Sequence, residues 1–114
     1  MIDNWIQEAA AGLQLSLTDV PLAQRLSGSP RTGVKSLGQF GGTNIGVWEM
    51  TPGIMRDVEV DEIFIVLHGA ARVEFKDSAP LNLSQGDVVR LHAGQETVWT
   101  VTETLRKVYI SLPS

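Results

Sequence analysis

The chain contains no cysteine. Disulfides, thiolate nucleophiles and cysteine-ligated zinc are thereby excluded together. Histidine is nearly as scarce, with 2 in 114 residues. Zinc favours three or four nitrogen or sulfur ligands, and two imidazoles without a thiolate fall short of that. There is no Gly-x-Ser-x-Gly elbow either, so nucleophilic catalysis has no support. Basic side chains are outnumbered, 9 against 13 acidic, for a net charge of −4. That field repels phosphate backbones, and no local basic patch offsets it, so nucleic acid is not an expected partner. No apolar run approaches the roughly 18 residues needed to cross a bilayer, and no membrane association is expected. Near the N-terminus the apolar run Ala9 to Ala11 is too short for a signal-peptide core and lies close to Asp3 and Glu8. A soluble cytoplasmic protein is the expectation.

What is present is a hydrophobic content of 43%, enough for one continuous core at this length. Residues 1–26 read as a helical and extended lead-in and 27–114 as a barrel, within a single domain. Asp3 is a candidate N-cap for a helix over residues 3–12, with Trp5, Ile6, Ala9, Ala10 and Leu13 at helical spacing and Gly12 ending it. Residues 27–44, rich in Gly, Ser and Pro, read as a long surface connection. The spacing Gly28…Gly33-Val34-Lys35-Ser36 is not a phosphate-binding loop. A valine separates glycine from lysine, Pro30 interrupts it, and no helix follows.

From residue 45 onward apolar and β-branched runs alternate with turn signals. The runs are 45–50, 62–67, 71–75, 81–83, 88–91, 97–102 and 105–112, separated by pairs such as His68-Gly69, Gln85-Gly86, Ala93-Gly94 and Thr102-Glu103. This spacing predicts an all-β sandwich or barrel, with Val73, Phe75, Val88 and Leu91 largely buried.

Two stretches carry the most information. In Glu62-Ile63-Phe64-Ile65-Val66-Leu67-His68-Gly69 a carboxylate opens an apolar run that ends on glycine. In Gly86-Asp87-Val88-Val89-Arg90-Leu91-His92-Ala93-Gly94 a Gly-Asp turn launches another. Together with Val47-Trp48-Glu49-Met50-Thr51-Pro52-Gly53 before them and Thr97–Val101 and Leu105–Tyr109 after, they resemble the two halves of the cupin signature. The resemblance is to small single-domain, RmlC-like cupins related to ethanolamine-utilisation proteins and ureidoglycine aminohydrolases, and covers roughly residues 40–112. It implies a jelly-roll β-barrel open at one end, and a homodimer, which unpaired edge strands also suggest. In the cupin pattern Glu62 matches the metal-binding glutamate. The two upstream histidine positions fall among Met55, Arg56, Asp57 and Val58, and the third falls near Thr97. None is histidine, so no metal is expected at the standard site and no cofactor is predicted.

Glu62 is the candidate catalytic and ligand-binding group. The resemblance places it in the barrel mouth, where partial desolvation would suit a carboxyl to acid–base work; the alternative is a structural partner for Arg106 or Lys107. Lys107 and Tyr109 share one face of the last strand, opposite Arg106, Val108 and Ile110, and either face can be the inner one. Trp48 and Trp99 suit a small-ligand pocket or plain core packing. Glu49 joins Glu62, Trp99, Lys107 and Tyr109 in the ligand-binding set, although its parity opposes that of Trp48. Asp57, Glu59 and Asp61 alternate and either form a wet acidic loop or offer oxygen ligands to a weakly held divalent cation. His68 and His92 read as surface turn residues. Two functions fit: a metal-free module for a small polar metabolite, or an enzyme of small nitrogen-containing metabolites that uses Glu62.

Overall fold

The computed structural model describes residues 4–113. It contains nine strands: β1 (Thr18–Asp19), β2 (Arg25–Ser27), β3 (Arg31–Phe40), β4 (Thr43–Met50), β5 (Gly53–Val58), β6 (Glu62–Phe75), β7 (Leu81–Leu83), β8 (Val88–Leu91) and β9 (Glu96–Ser111). They form one continuous antiparallel sheet, curled into a half-barrel. Its spine is the long pair β6–β9. One half of that spine is flanked by β4 and β8, the other by β5 and β7. Curling brings the inner faces of the halves together, so Met50, Phe64, Leu91 and Leu105 share a core with Met55, Val73, Trp99 and Val101. Among the described residues no helix is long and apolar enough to cross a membrane.

The spine is where two sequence expectations change. His68-Gly69 and Thr102-Glu103 are not turns between short strands; each lies inside one uninterrupted strand. The register of β6 against β9 slips between Val66 and Ala71, and Gly69 sits in this bulged stretch at φ 101°. A Cβ there would fall on the Thr104 carbonyl and Leu105 Cα. Glycine therefore marks close backbone approach within a bulge, which bends a strand without ending it. His68 is accordingly half-buried, with Nδ1 3.2 Å from the Thr104 carbonyl oxygen.

Residues 31–40 are a strand, not a surface connection. Their alternation is masked by small residues, which have packing reasons: Gly33 lies where a Cβ would strike Ser16 and Leu17, and Gly38 follows a register slip against β4. β5 has no counterpart among the predicted runs, because Arg56 and Asp57 hide its apolar inner position, Met55. The predicted helix over 3–12 reduces to a 3-10 turn at Ala10–Gly12. Its proposed cap, Asp3, lies outside the described residues. A helix this short is marginal without an apolar face to bury, and here Trp5 and Ile6 are exposed. The lead-in is nonetheless woven into the sheet, since β1 pairs with β3, β2 pairs with β5, and Val20 lies in the core.

Of the predicted core positions, Val73 and Leu91 are buried and Phe75 packs half-buried against the core. Val88 does not: it is 68% exposed on the outer face, opposite Ile65. Val88 and Leu91 lie three apart and so face opposite sides of β8: Leu91 faces the core with Val89, and Val88 faces out.

Candidate functional site

A cavity of about 250 Å³ opens on the inner face beside the spine, walled by residues from β3, β4, β5, β6, β9 and the β5–β6 connection. Lys107 and Tyr109 point into it together, as strand parity requires, from the half of β9 paired with β4. Glu62 enters as the first residue of β6. Lys107 Nζ donates to Glu62 Oε2 at 2.7 Å, and the two side chains are only 6% and 11% exposed. The ammonium also lies 4.7, 4.4 and 5.0 Å from the ring centroids of Trp48, Phe64 and Trp99. A buried amine of this kind needs a counter-charge and polarisable surroundings, and the carboxylate and three aromatic rings supply them.

The acidic run contributes unevenly. Glu59 Oε2 accepts from Thr97 Oγ1 at 2.6 Å and from Trp99 Nε1 at 3.0 Å, which fixes the indole against the cavity. Asp57 lines the same cavity, and its carboxylate accepts from the Val58 amide. Asp61 turns away to Arg90 and the Ala93 amide, so the alternation stops at the end of β5. Burial, and then the neighbouring charge of Glu59, push the Asp57 carboxyl above its ordinary range. Burial, and then the charge of Glu62, likewise raise Tyr109, so its phenol stays a neutral hydrogen-bond donor.

The raised Asp57 carboxyl has a stability consequence. Its folded-state proton affinity exceeds the unfolded one, so its contribution is complete in acid and is lost as pH rises through the folded value. Asp57→Asn, which cannot ionise, is therefore expected to unfold at higher temperature than the parent chain at neutral pH. The two should converge below the ordinary aspartate range, as thermal melts across pH will show.

Tyr109 reaches the cavity because its strand partner is Gly46. A Cβ at Gly46 would fall on the Tyr109 hydroxyl and ring. Gly46→Ala should displace the phenol at a modest stability cost, on the order of 1–3 kcal/mol. Ligand affinity should fall more than the melting temperature suggests, which parallel calorimetry and thermal melts will measure.

The family profile described as the EutQ-like cupin domain matches residues 37–109. The chain belongs to this family. Among solved structures, this EutQ-like cupin is similar to the EutQ protein of Clostridium difficile, at 20% identity and a TM-score of 0.70 over 92% of this chain and 84% of that one. It is similar to an ethanolamine utilization protein Q of Salmonella typhimurium, at 17% identity and 0.63 over 88% and 96%. A Pseudomonas syringae protein of unknown function aligns at 22% identity and 0.74, over 87% of this chain and 44% of that one. At these identities the likenesses establish the fold alone. No curated protein matches the chain in sequence. The small-cupin and EutQ-like parts of the sequence resemblance are thus supported; the ureidoglycine aminohydrolase part is not specifically supported.

The metal site usual in cupins does not fit this EutQ-like cupin. The upstream imidazole positions fall among Met55, Arg56, Asp57 and Val58 and the third near Thr97, none of them histidine, and Lys107 holds Glu62, the remaining ligand, with its ammonium. A cation already bonded to that carboxylate opposes a second one there. Among the described residues no group of three or more His, Asp or Glu side chains converges for a metal.

Of the five residues assigned to ligand binding from the sequence, the fold gathers Glu62, Trp99, Lys107 and Tyr109 around one cavity. Glu49 is elsewhere. Its opposite parity places it on the outer face of β4, where its carboxylate accepts from Arg106 Nη2 at 2.9 Å and Nε at 3.0 Å. Arg106 Nη1 in turn donates to the Ala10 and Ala11 carbonyls of the N-terminal turn at 3.1 and 3.2 Å. Arg106 and Lys107 thus face opposite ways and are both buried, one under the N-terminal segment and one inside the sheet. Thr97 and the role of Glu59 are not apparent from the sequence; the signal available was an acidic residue shortly before the strand that starts with Glu62. A wider groove of about 750 Å³ lies beyond Asp57, with Arg56, Glu74, Lys76 and Glu96 on its walls. These charges are exposed, and Lys76 is already paired with Glu96 at 3.1 Å. The smaller cavity, with buried polar groups converging among aromatic rings, is the better site.

Proposed function

We propose that this EutQ-like cupin binds a small polar metabolite in the cavity walled by Glu62, Lys107, Tyr109, Trp48 and Trp99, without the metal centre common among cupins. The observation that carries this reading is the Lys107–Glu62 pair, a desolvated charge pair placed at the wall of a cavity rather than within solid packing. Such a pair is weak evidence for stability alone, because apolar residues of the same volume often serve as well. At a cavity wall it offers an incoming ligand a donor and an acceptor in fixed positions. Tyr109 adds a neutral hydroxyl, and the indoles add flat apolar walls.

A second reading, an enzyme acting on small nitrogen-containing metabolites with Glu62 as acid–base group, draws on the same contact. A carboxylate 2.7 Å from an ammonium can exchange a proton with it beside a bound substrate.

Glu62→Gln tests the binding reading. Glutamine keeps an oxygen for Lys107 Nζ to donate to but removes the charge. In calorimetric titrations with small amines, amino acids and hydroxy acids, the parent chain should bind at least one compound and the variant should bind it at least about tenfold more weakly. Equal affinity in the folded variant would make Glu62 a structural residue only.

A further inference from the structure

The charge on the cavity wall is unbalanced. Three carboxylates line it, those of Asp57, Glu59 and Glu62, against one ammonium, that of Lys107. Lys107 is engaged by Glu62 at 2.7 Å. Glu59 receives only neutral donors, Thr97 and Trp99, and Asp57 receives only a backbone amide. The ion pairs among the described residues join Asp19, Glu49, Asp61, Glu62 and Glu96 to cations, and none involves Asp57 or Glu59. Two neighbouring carboxylates thus face a partly desolvated cavity whose one cation, Lys107, is bonded to Glu62, and Tyr109, as a neutral phenol, adds none.

We propose that the metabolite taken by this cavity is a small aliphatic ammonium compound, its cationic end seated between Asp57 and Glu59 and its carbon chain against Trp48 and Tyr109. This rests on the reading of the cavity as a binding site and adds the class of ligand. An anion meets the opposite situation. It would have to share Lys107, the single cation on the wall, with Glu62 while facing the charges of Asp57 and Glu59. A neutral alcohol leaves Asp57 and Glu59 as they are. An ammonium group supplies the missing charge with charge-assisted hydrogen bonds, and the aromatic walls favour a cation further. The volume, about 250 Å³, matches roughly eight water-sized groups at about 30 Å³ each, which limits the ligand to a short chain.

The Asp57 carboxyl is held above its ordinary range by burial and then by the charge of Glu59, consistent with this charge imbalance. The titratable groups facing the seat are Asp57, Glu59, Glu62, Lys107 and Tyr109.

The test is a set of tryptophan-fluorescence titrations at low ionic strength with matched probes: propylammonium, propanol, propionate and Mg²⁺. Propylammonium should bind at least about tenfold more tightly than propanol, and propionate should not compete with it. Asp57→Asn should weaken propylammonium about tenfold and leave propanol unchanged. The structure of the seat survives this substitution, because Glu59 keeps its hold on Thr97 and Trp99. If propionate or propanol binds as tightly as propylammonium, and Glu62→Gln abolishes it, the cavity is a binding site and the ammonium assignment is wrong. If Mg²⁺ binds more tightly than propylammonium and Asp57→Asn removes it, the acidic pair is a metal seat and the assignment is again wrong. If no probe binds, both the assignment and the binding site are refuted.

Discussion

Replacing Lys107 with methionine should lower folding stability by about 3–5 kcal/mol, the usual consequence of leaving a buried charge without its partner. Methionine keeps the length and apolar stem of lysine, so the loss reports the ammonium and not a cavity. What remains is the Glu62 carboxylate, 11% exposed, with no cation beside it. Adding Glu62→Gln to the same chain should restore most of the loss, since a neutral amide has far less hydration to give up. Urea unfolding of the four chains of this double-mutant cycle gives the coupling energy directly. A loss under about 1 kcal/mol for Lys107→Met alone is what an exposed ion pair gives, and would mean that the pair is not desolvated.

Arg106→Met should be comparably costly, about 3–5 kcal/mol, and through a different part of the molecule. Arg106 addresses two partners at once. Nε and Nη2 bond the carboxylate of Glu49, and Nη1 bonds the carbonyls of Ala10 and Ala11. Without it Glu49 is left unpaired on β4, and the N-terminal turn loses donors for two of its carbonyls. Hydrogen exchange should then accelerate around residues 9–13 before the sheet itself opens. Arg106→Lys should fall between, because a single ammonium cannot reproduce the guanidinium fork. Unchanged exchange in the N-terminal turn of the Met variant would show that the contact does not hold the segment in place.

Much of the fold is legible in the sequence, because apolar alternation and turn pairs report sheet formation locally. After residue 45 every predicted run falls on a strand, although β5 is missed and two predicted turns fall inside β6 and β9. Glycine accounts for two of the departures. Bulges at His68–Ala70 and close approaches at Gly33 look like turns and loops, because glycine marks both, and only the paired strand shows which one is present. The missing helix at the N-terminus has a different origin: helical spacing is there, but Trp5 and Ile6 stay exposed and give a short helix no apolar face to bury.

The candidate site was partly legible. The resemblance places Glu62 in the barrel mouth and parity puts Lys107 and Tyr109 on one face of the last strand, but which face of that strand is the inner one is decided only by the pairing of β9 with β4 and β6. Glu49 was separable from them by parity alone, since an adjacent tryptophan already faced inward. Parity did not show that the outer face at Arg106 is also buried, because that depends on where the N-terminal segment crosses. Nor did it assign Glu59 to Thr97 and Trp99, a contact made by a residue beyond the end of its strand.

The most direct test is a proton–nitrogen NMR titration that follows the three tryptophan indoles with a panel of small amines, amino acids and hydroxy acids. Trp48 and Trp99 line the cavity, while Trp5 lies 67% exposed in the N-terminal segment and serves as an internal reference. At least one compound should shift the Trp48 and Trp99 signals in a saturable way, leave Trp5 unmoved, and lose its effect in Glu62→Gln. No saturable shift from any compound, or an identical shift in Glu62→Gln, would contradict the assignment of this cavity as a binding site.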